Sequence, residues 1–268
     1  MPRMRSAGPR FDRIARLAAV AVAGILVVIA LSLAAGRLRG GATGRTTERF
    51  DPPVWAGQNV PGPCASGGFY AREASTIVLT IAAHCPAADP GASMLDPDGR
   101  LVGVYGPLAQ LLDCPAGRFC APADVLALRL PADRIPVGHL NLVDMGAGGY
   151  RTIAPGTAPL ACADIHVGDH VELDGREIFR TGRVIEIGRY EHDTDTMFPC
   201  MVVTDIGGDY GDSGAAVLVN GLPGGTVSRL IAGYLAFTPL AEGLSNLRLQ
   251  LCTTPDCDRD AATAQRPR

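Results

Sequence analysis

Two hydrophobic patterns divide this chain. From Leu17 to Ala35 the apolar run continues without a charged side chain or a polar stripe. Beyond Pro63 the apolar positions come in short runs, many alternating with polar ones, and that period of two belongs to strands. It predicts strands over Gly67–Arg72, Thr76–Ile81, Leu101–Val104, Val125–Leu130, His170–Leu173, Gly182–Ile187, Met201–Asp205, Ala215–Val219 and Leu230–Phe237. Turn pairs punctuate them at Asp98-Gly99, Asp174-Gly175 and Asn220-Gly221. No long amphipathic helix is expected before the C-terminus. Many short strands set off by Gly and Pro argue for an all-β, antiparallel sandwich or barrel. The Pro- and Gly-rich stretch Pro131–Pro159 reads as a connection between two halves, and no internal repeat is visible.

At a rise of about 1.5 Å per residue, the run 17–35 is about long enough to cross a hydrocarbon core of roughly 30 Å. A cleavable signal peptide has a shorter apolar core of about 7–15 residues, which favours an uncleaved transmembrane anchor. Ser32-Leu33-Ala34 also fits a small-x-small cleavage site, so a secreted form stays open. Arg3, Arg5, Arg10, Arg13 and Arg16 precede the run. They keep residues 1–16 in the cytoplasm and place the bulk of the chain outside. Residues 36–63, rich in Gly, Thr, Arg and Pro, read as a linker that lifts the rest off the membrane. Trp55 is either an interfacial anchor or the edge of the folded domain.

Composition narrows the function classes. The 268-residue chain carries a formal net charge of −3 and is 47% hydrophobic, which suits a globular domain. Every basic side chain is arginine, dispersed along the chain, so nucleic acid is not an expected partner. The absence of lysine removes serine–lysine dyads and Schiff-base chemistry. No Gly-rich phosphate loop marks a nucleotide site, and no cofactor is expected. Outside the cytoplasm the eight cysteines read as disulfides rather than metal thiolates. Short loops permit Cys114 with Cys120 and Cys252 with Cys257, while Cys64 and Cys85 flank a hairpin. Cys162 with Cys200 remains by elimination, and all four pairings rest on proximity along the chain. His166 and His170 have the spacing of a helical zinc pair, but Gly168 and Asp169 break a helix there, so no metal is expected. His139 and His192 read as surface residues.

One stretch gathers the chemistry: Asp209-Tyr210-Gly211-Asp212-Ser213-Gly214-Ala215, just before an apolar strand. Glycines on both sides let the backbone turn sharply and expose the Ser213 hydroxyl. They also open the Gly211 and Ser213 amides to a developing oxyanion. All five histidines precede Ser213, which excludes the α/β-hydrolase order. A subtilisin order fails too, because the only aspartates ahead of His84 are Asp12 and Asp51. The surviving order is His, Asp, Ser. His84 follows the apolar strand Thr76–Ile81 and precedes Cys85. Asp124 stands at the head of the strand Val125–Leu130, where a buried carboxylate needs a partner such as an imidazole N–H.

These residues resemble a family. Thr80-Ile81-Ala82-Ala83-His84-Cys85 resembles the Thr-Ala-Ala-His-Cys motif of trypsin-like serine peptidases. Asp124-Val125-Leu126-Ala127-Leu128 resembles their Asp-Ile-Ala-Leu-Leu segment, and Gly211-Asp212-Ser213-Gly214-Ala215 their Gly-Asp-Ser-Gly-Gly, with Ala215 for the last glycine. Cys64-Ala65-Ser66-Gly67-Gly68-Phe69 and Pro239-Leu240-Ala241-Glu242-Gly243-Leu244-Ser245 are similar to the bacterial, streptogrisin-like branch. The resemblance spans roughly Cys64 to Leu251. It implies two antiparallel β-barrels of the chymotrypsin type with the active site in the cleft between them. Residues 64–145 would form the first barrel, 146–252 the second with a short C-terminal helix, and 253–268 a polar tail. It also implies a His84–Asp124–Ser213 triad acting on protein or peptide substrates, with Gly211 and Ser213 as oxyanion hole. The alternative is a catalytically weak or inactive relative that binds peptides or partners.

In the family the acid before the serine is buried and needs a cation. Phe179-Arg180-Thr181-Gly182 resembles the Arg-Ser-Gly segment with which the bacterial branch supplies an arginine, so Arg180 is expected to pair with Asp212. After Ser213, Ile231–Phe237 runs almost directly into Pro239, and much of the family's pocket wall is missing. The resemblance places the pocket near Gly207, Gly233 and Tyr234, with Tyr234 filling it. Gly207 near the floor gives no support to a preference for Arg or Lys. Asp209 either supplies a negative charge or sits in an exposed turn.

Overall fold

The period-two pattern becomes sixteen strands among the described residues. A computed structural model describes residues 53–58, 66–85, 90–96, 98–107, 111–114, 119–175, 178–191 and 196–265. The expectations for residues 1–16, the anchor 17–35, most of the linker, Cys64 and His192 lie outside these. No helix among the described residues is long and apolar enough to cross a membrane.

In chain order the first half holds β1 (Tyr70–Glu73), β2 (Thr76–Ile81), β3 (Ser93–Leu95), β4 (Leu101–Tyr105), β5 (Leu112–Asp113), β6 (Phe119–Cys120) and β7 (Leu126–Arg129). A short hairpin follows, β8 (Leu142–Asp144) and β9 (Tyr150–Thr152). The second half holds β10 (His170–Gly175), β11 (Ile178–Glu191), β12 (Thr196–Gly207), β13 (Ala216–Val219), β14 (Leu222–Ile231) and β15 (Tyr234–Pro239). Helix α1 (Leu240–Asn246), β16 (Gln250–Leu251) and helix α2 (Pro255–Ala264) close the chain.

Two sheets result. The first has the order β16-β1-β2-β7-β4-β3. The second runs β11-β10-β13-β14-β15-β12, and β11 pairs back onto β12, so those six strands close into a barrel and leave no edge among themselves. β13 explains how the halves share a boundary. Its side chains alternate, with Ala216 and Leu218 packing into the first core and Val217 and Val219 into the second. Buried on both faces, it reads as an unbroken apolar run.

Several boundaries differ from the sequence reading. Leu230–Phe237 is a tight hairpin, not one strand. Ala232 and Gly233 turn it with φ of 51° and 87°, the backbone of a two-residue hairpin turn. The turn hides in sequence because alanine rarely adopts positive φ. The N-terminal part of β14 also departs from the sequence reading, in which Pro223-Gly224-Gly225 looks like a loop. Gly225 sits there because the Phe237 ring crosses it, where a Cβ would come within 2.3 Å of the ring.

Residues 112–120 fall in the first half by position, yet β6 pairs in parallel with β12 and extends the second sheet. Residues 53–58 are not linker. Val54 and Ala56 are buried in the first core, and Trp55 packs on His139 and Tyr150 with ring centroids 5.6 Å away. Trp55 therefore belongs to the edge of the folded domain. The stretch Pro131–Pro159 carries the β8–β9 hairpin and buries Ile135, Leu140, Val143 and Met145. The polar tail is helix α2, which seats Cys257 and Ala261 in the first core and pairs Asp260 with Arg72. Only those two residues of the helix are buried, so its polar composition masked it. The described disulfides are Cys114–Cys120, Cys162–Cys200 and Cys252–Cys257. Cys85 is also disulfide-bonded.

Candidate active site

Strand register brings the first two site residues together. β2 and β7 are antiparallel neighbours with Ile81 opposite Leu126. His84 lies three residues beyond that pair and Asp124 two before it, so both emerge at one end of adjacent strands. Ser213 sits in the turn that enters β13. That turn packs directly against the first half: at Gly214, φ 93°, a Cβ would lie 2.2 Å from the Ser66 carbonyl oxygen. Only glycine allows this approach.

The three side chains form one hydrogen-bonded line. Asp124 Oδ2 is 2.6 Å from His84 Nδ1, and His84 Nε2 is 3.1 Å from Ser213 Oγ. Asp124 Oδ1 also accepts the His84 amide at 3.0 Å. A carboxylate only accepts, so the Nδ1 proton faces Asp124 and Nε2 is left to take the serine proton. The Asp124 side chain is 2% exposed and the His84 ring 35%, so the acid is sealed while the base reaches the cleft.

Burial works to raise the Asp124 pKa, but the His84 ring bond and charge, the Ser228 hydroxyl and the His84 amide outweigh it. The carboxyl is held below its ordinary value. Ser228 Oγ donates to Oδ2, and the Asp124 amide donates to Thr238 Oγ1 at 3.0 Å. Sequence reading missed Ser228. Its one signal is a small hydroxyl amid the apolar residues of a strand. Ser228→Ala should lower stability by about 1.5–3 kcal/mol, as expected for a hydrogen bond to a charged group. Denaturant titration checks this, and an unchanged midpoint contradicts it.

Two amides flank the nucleophile position. Gly211, φ 104°, and Ser213 donate no backbone hydrogen bond to a described residue, while the Asp212 amide between them reaches Asp209 O. Asp212 is 1% exposed and is met by Arg180 in a bidentate pair, with Nη2 to Oδ1 at 2.8 Å and Nη1 to Oδ2 at 2.9 Å. Arg180 Nη1 also donates to Gly207 O at 2.8 Å, and the Asp209 amide to Asp212 Oδ2 at 2.8 Å. One ion pair thereby ties β11 to the whole Gly207–Ser213 segment. Removing one partner of a buried pair strands the other's charge, so Arg180→Ala should destabilise by roughly 3–5 kcal/mol. Thermal unfolding would show it, and a variant as stable as wild type contradicts it.

The pocket differs from the expectation. A cavity of about 320 Å³ opens beside Ser213, lined by Asp209–Ser213 on one side and by Val227, Arg229, Leu230 and Leu235 on the other. Gly207, Gly233 and Tyr234 do not line it. Tyr234 lies at the outer end of the β14–β15 hairpin, opposite Gly207, and is 43% exposed. One residue on, Leu235 points inward and is buried, as period two requires. Asp209 is exposed at the rim, its carboxylate accepting the Tyr210 amide.

The fold and this site define a class: a chymotrypsin-type β fold carrying a serine, a histidine and a buried aspartate in hydrogen-bonded line. No protein-family model matches the chain, and neither does any curated protein. Solved structures do. Protease A of Thermobifida fusca is 21% identical with a TM-score of 0.55, covering 75% of this chain and 100% of its own. A Nocardiopsis protease is 21% identical at 0.55, covering 74% and 98%. A chymotrypsin of Cellulomonas bogoriensis is 19% identical at 0.52, covering 75% and 100%. These likenesses show the shared fold.

Proposed function

We propose that this chain is a serine endopeptidase of the bacterial, streptogrisin-like branch, held outside the cytoplasm by the segment Leu17–Ala35. The observation that carries the reading is the line from Ser213 through His84 to a buried, ionised Asp124. In this reading His84 takes the Ser213 proton as the hydroxyl attacks a peptide carbonyl. Asp124 holds the tautomer and stabilises the imidazolium. The Gly211 and Ser213 amides stabilise the oxyanion. His84 then protonates the leaving amine, and water, activated by the same ring, releases the acyl group. Arg180 supplies the cation for Asp212 from within the chain, so no newly cut N-terminus is needed.

A chromogenic p-nitrophenyl ester tests the covalent step. A burst of nitrophenol equal to the enzyme concentration, followed by slower turnover, is the expected result. Absence of a burst, with peptide binding retained, favours the binding-module reading instead. The apolar run and the disulfides support the extracytoplasmic placement. Retention in the membrane pellet after alkaline carbonate washing is expected, and a soluble, shortened chain would mean cleavage after Ala34.

A further inference from the structure

We infer that the cavity beside Ser213 accepts a compact aliphatic side chain, and that Leu230 and Leu235 set this limit. The inference rests on the peptidase reading and names its substrate class: peptides with Ala, Val or Leu before the scissile bond. At about 320 Å³ the cavity stands at the small end of ligand pockets, which run from about 300 to 1,000 Å³. It has room for one side chain and its backbone.

The two leucines bridge its walls. They face each other across the β14–β15 hairpin. Opposite them lies Gly208, where a Cβ would come within 2.2 Å of Leu230 Cδ2 and 2.5 Å of Leu235 Cδ2. Two methyl groups therefore rest on the Gly208 backbone and seal the space between the hairpin and the Gly207–Ser213 segment. The seal follows from the two-residue turn Ala232–Gly233. With no longer loop after Ile231, the hairpin's own side chains close the pocket.

Charge points the same way. Asp212 is already matched by Arg180. The Arg229 guanidinium lies 4.9 Å from the Tyr190 ring centroid and 4.9 Å from that of Phe198, with Nε near Ser228 Oγ. Arg229 and Asp209 both line the cavity, but the first is held by two rings and the second stands at the exposed rim. A charged side chain pushed against the leucines therefore loses its hydration for little direct pairing.

The test uses tetrapeptide p-nitroanilides that differ only in the final residue, Ala, Val, Leu, Phe, Lys or Glu, with active sites counted by fluorophosphonate titration. The three aliphatic substrates should exceed Lys and Glu in kcat/KM by about 100-fold, within the range that pocket misfits produce. Leu230→Ala should raise the Phe-to-Leu ratio by about 10-fold, and Leu230→Phe should lower the Leu-to-Ala ratio by about 10-fold. Should a variant fail to fold, the wild-type profile decides alone. A wild-type enzyme that takes up the fluorophosphonate yet prefers Lys, Glu or Phe overturns the pocket assignment and leaves the peptidase reading standing. So do ratios unmoved in both folded variants. An enzyme that takes up no fluorophosphonate overturns both.

Discussion

Ser213→Ala should lower peptide turnover on the order of a million-fold, the scale of losing the nucleophile from residues that act as a unit. The fold should survive, because among the described residues Ser213 Oγ bonds only to the partly exposed His84 ring at 3.1 Å, and it sits in an already glycine-shaped turn. His84→Ala should cost about as much, since an undeprotonated serine attacks poorly. The decisive arm is the double variant. Groups that act as a unit are not additive, so Ser213→Ala with His84→Ala should be no slower than Ser213→Ala alone. Single-turnover kinetics at saturating substrate make the comparison. Losses that multiply would mean that His84 and Ser213 work independently.

Asp124→Asn should lower kcat about 10,000-fold while changing the local geometry little. The asparagine amide would donate to His84 Nδ1, which places the ring proton on Nε2 and points a donor at Ser213. The same substitution has a second readout. The folded pKa of Asp124 lies below its ordinary value. Such a group contributes stability that is fully present above its unfolded pKa and is lost as pH falls through the folded one. Wild type should therefore lose unfolding free energy on acidification below about pH 4 more steeply than Asp124→Asn. Denaturant titrations from neutral to acid pH supply both slopes. Parallel slopes would show that the carboxylate is not held in its charged form by its neighbours.

How legible these features are in sequence depends on how local their causes are. His84, Asp124 and Ser213 each sit beside an apolar run that becomes a strand, and their order excludes competing arrangements. Strand register then brings them together. Arg180 and Asp212 are far apart in sequence, and the family resemblance, not the spacing, suggests that they pair. Ser228, Leu230 and Leu235 stay hidden for a tertiary reason. They reach the cleft only because Ala232–Gly233 folds one apolar run back on itself, and Ala-Gly lacks the usual hairpin signal. Helix α2 is masked because a disulfide and two buried side chains suffice to dock an otherwise polar segment. Val54 and Ala56 are masked by the Gly, Pro and Arg around them.

The central claim is that His84 turns one hydroxyl, that of Ser213, into a nucleophile. Mass spectrometry after exposure to a fluorophosphonate tests it directly. One adduct per chain is expected, on the peptide containing Ser213, formed by wild type and abolished by His84→Ala. An unlabelled wild-type protein, or an adduct on another residue that persists without His84, would contradict it.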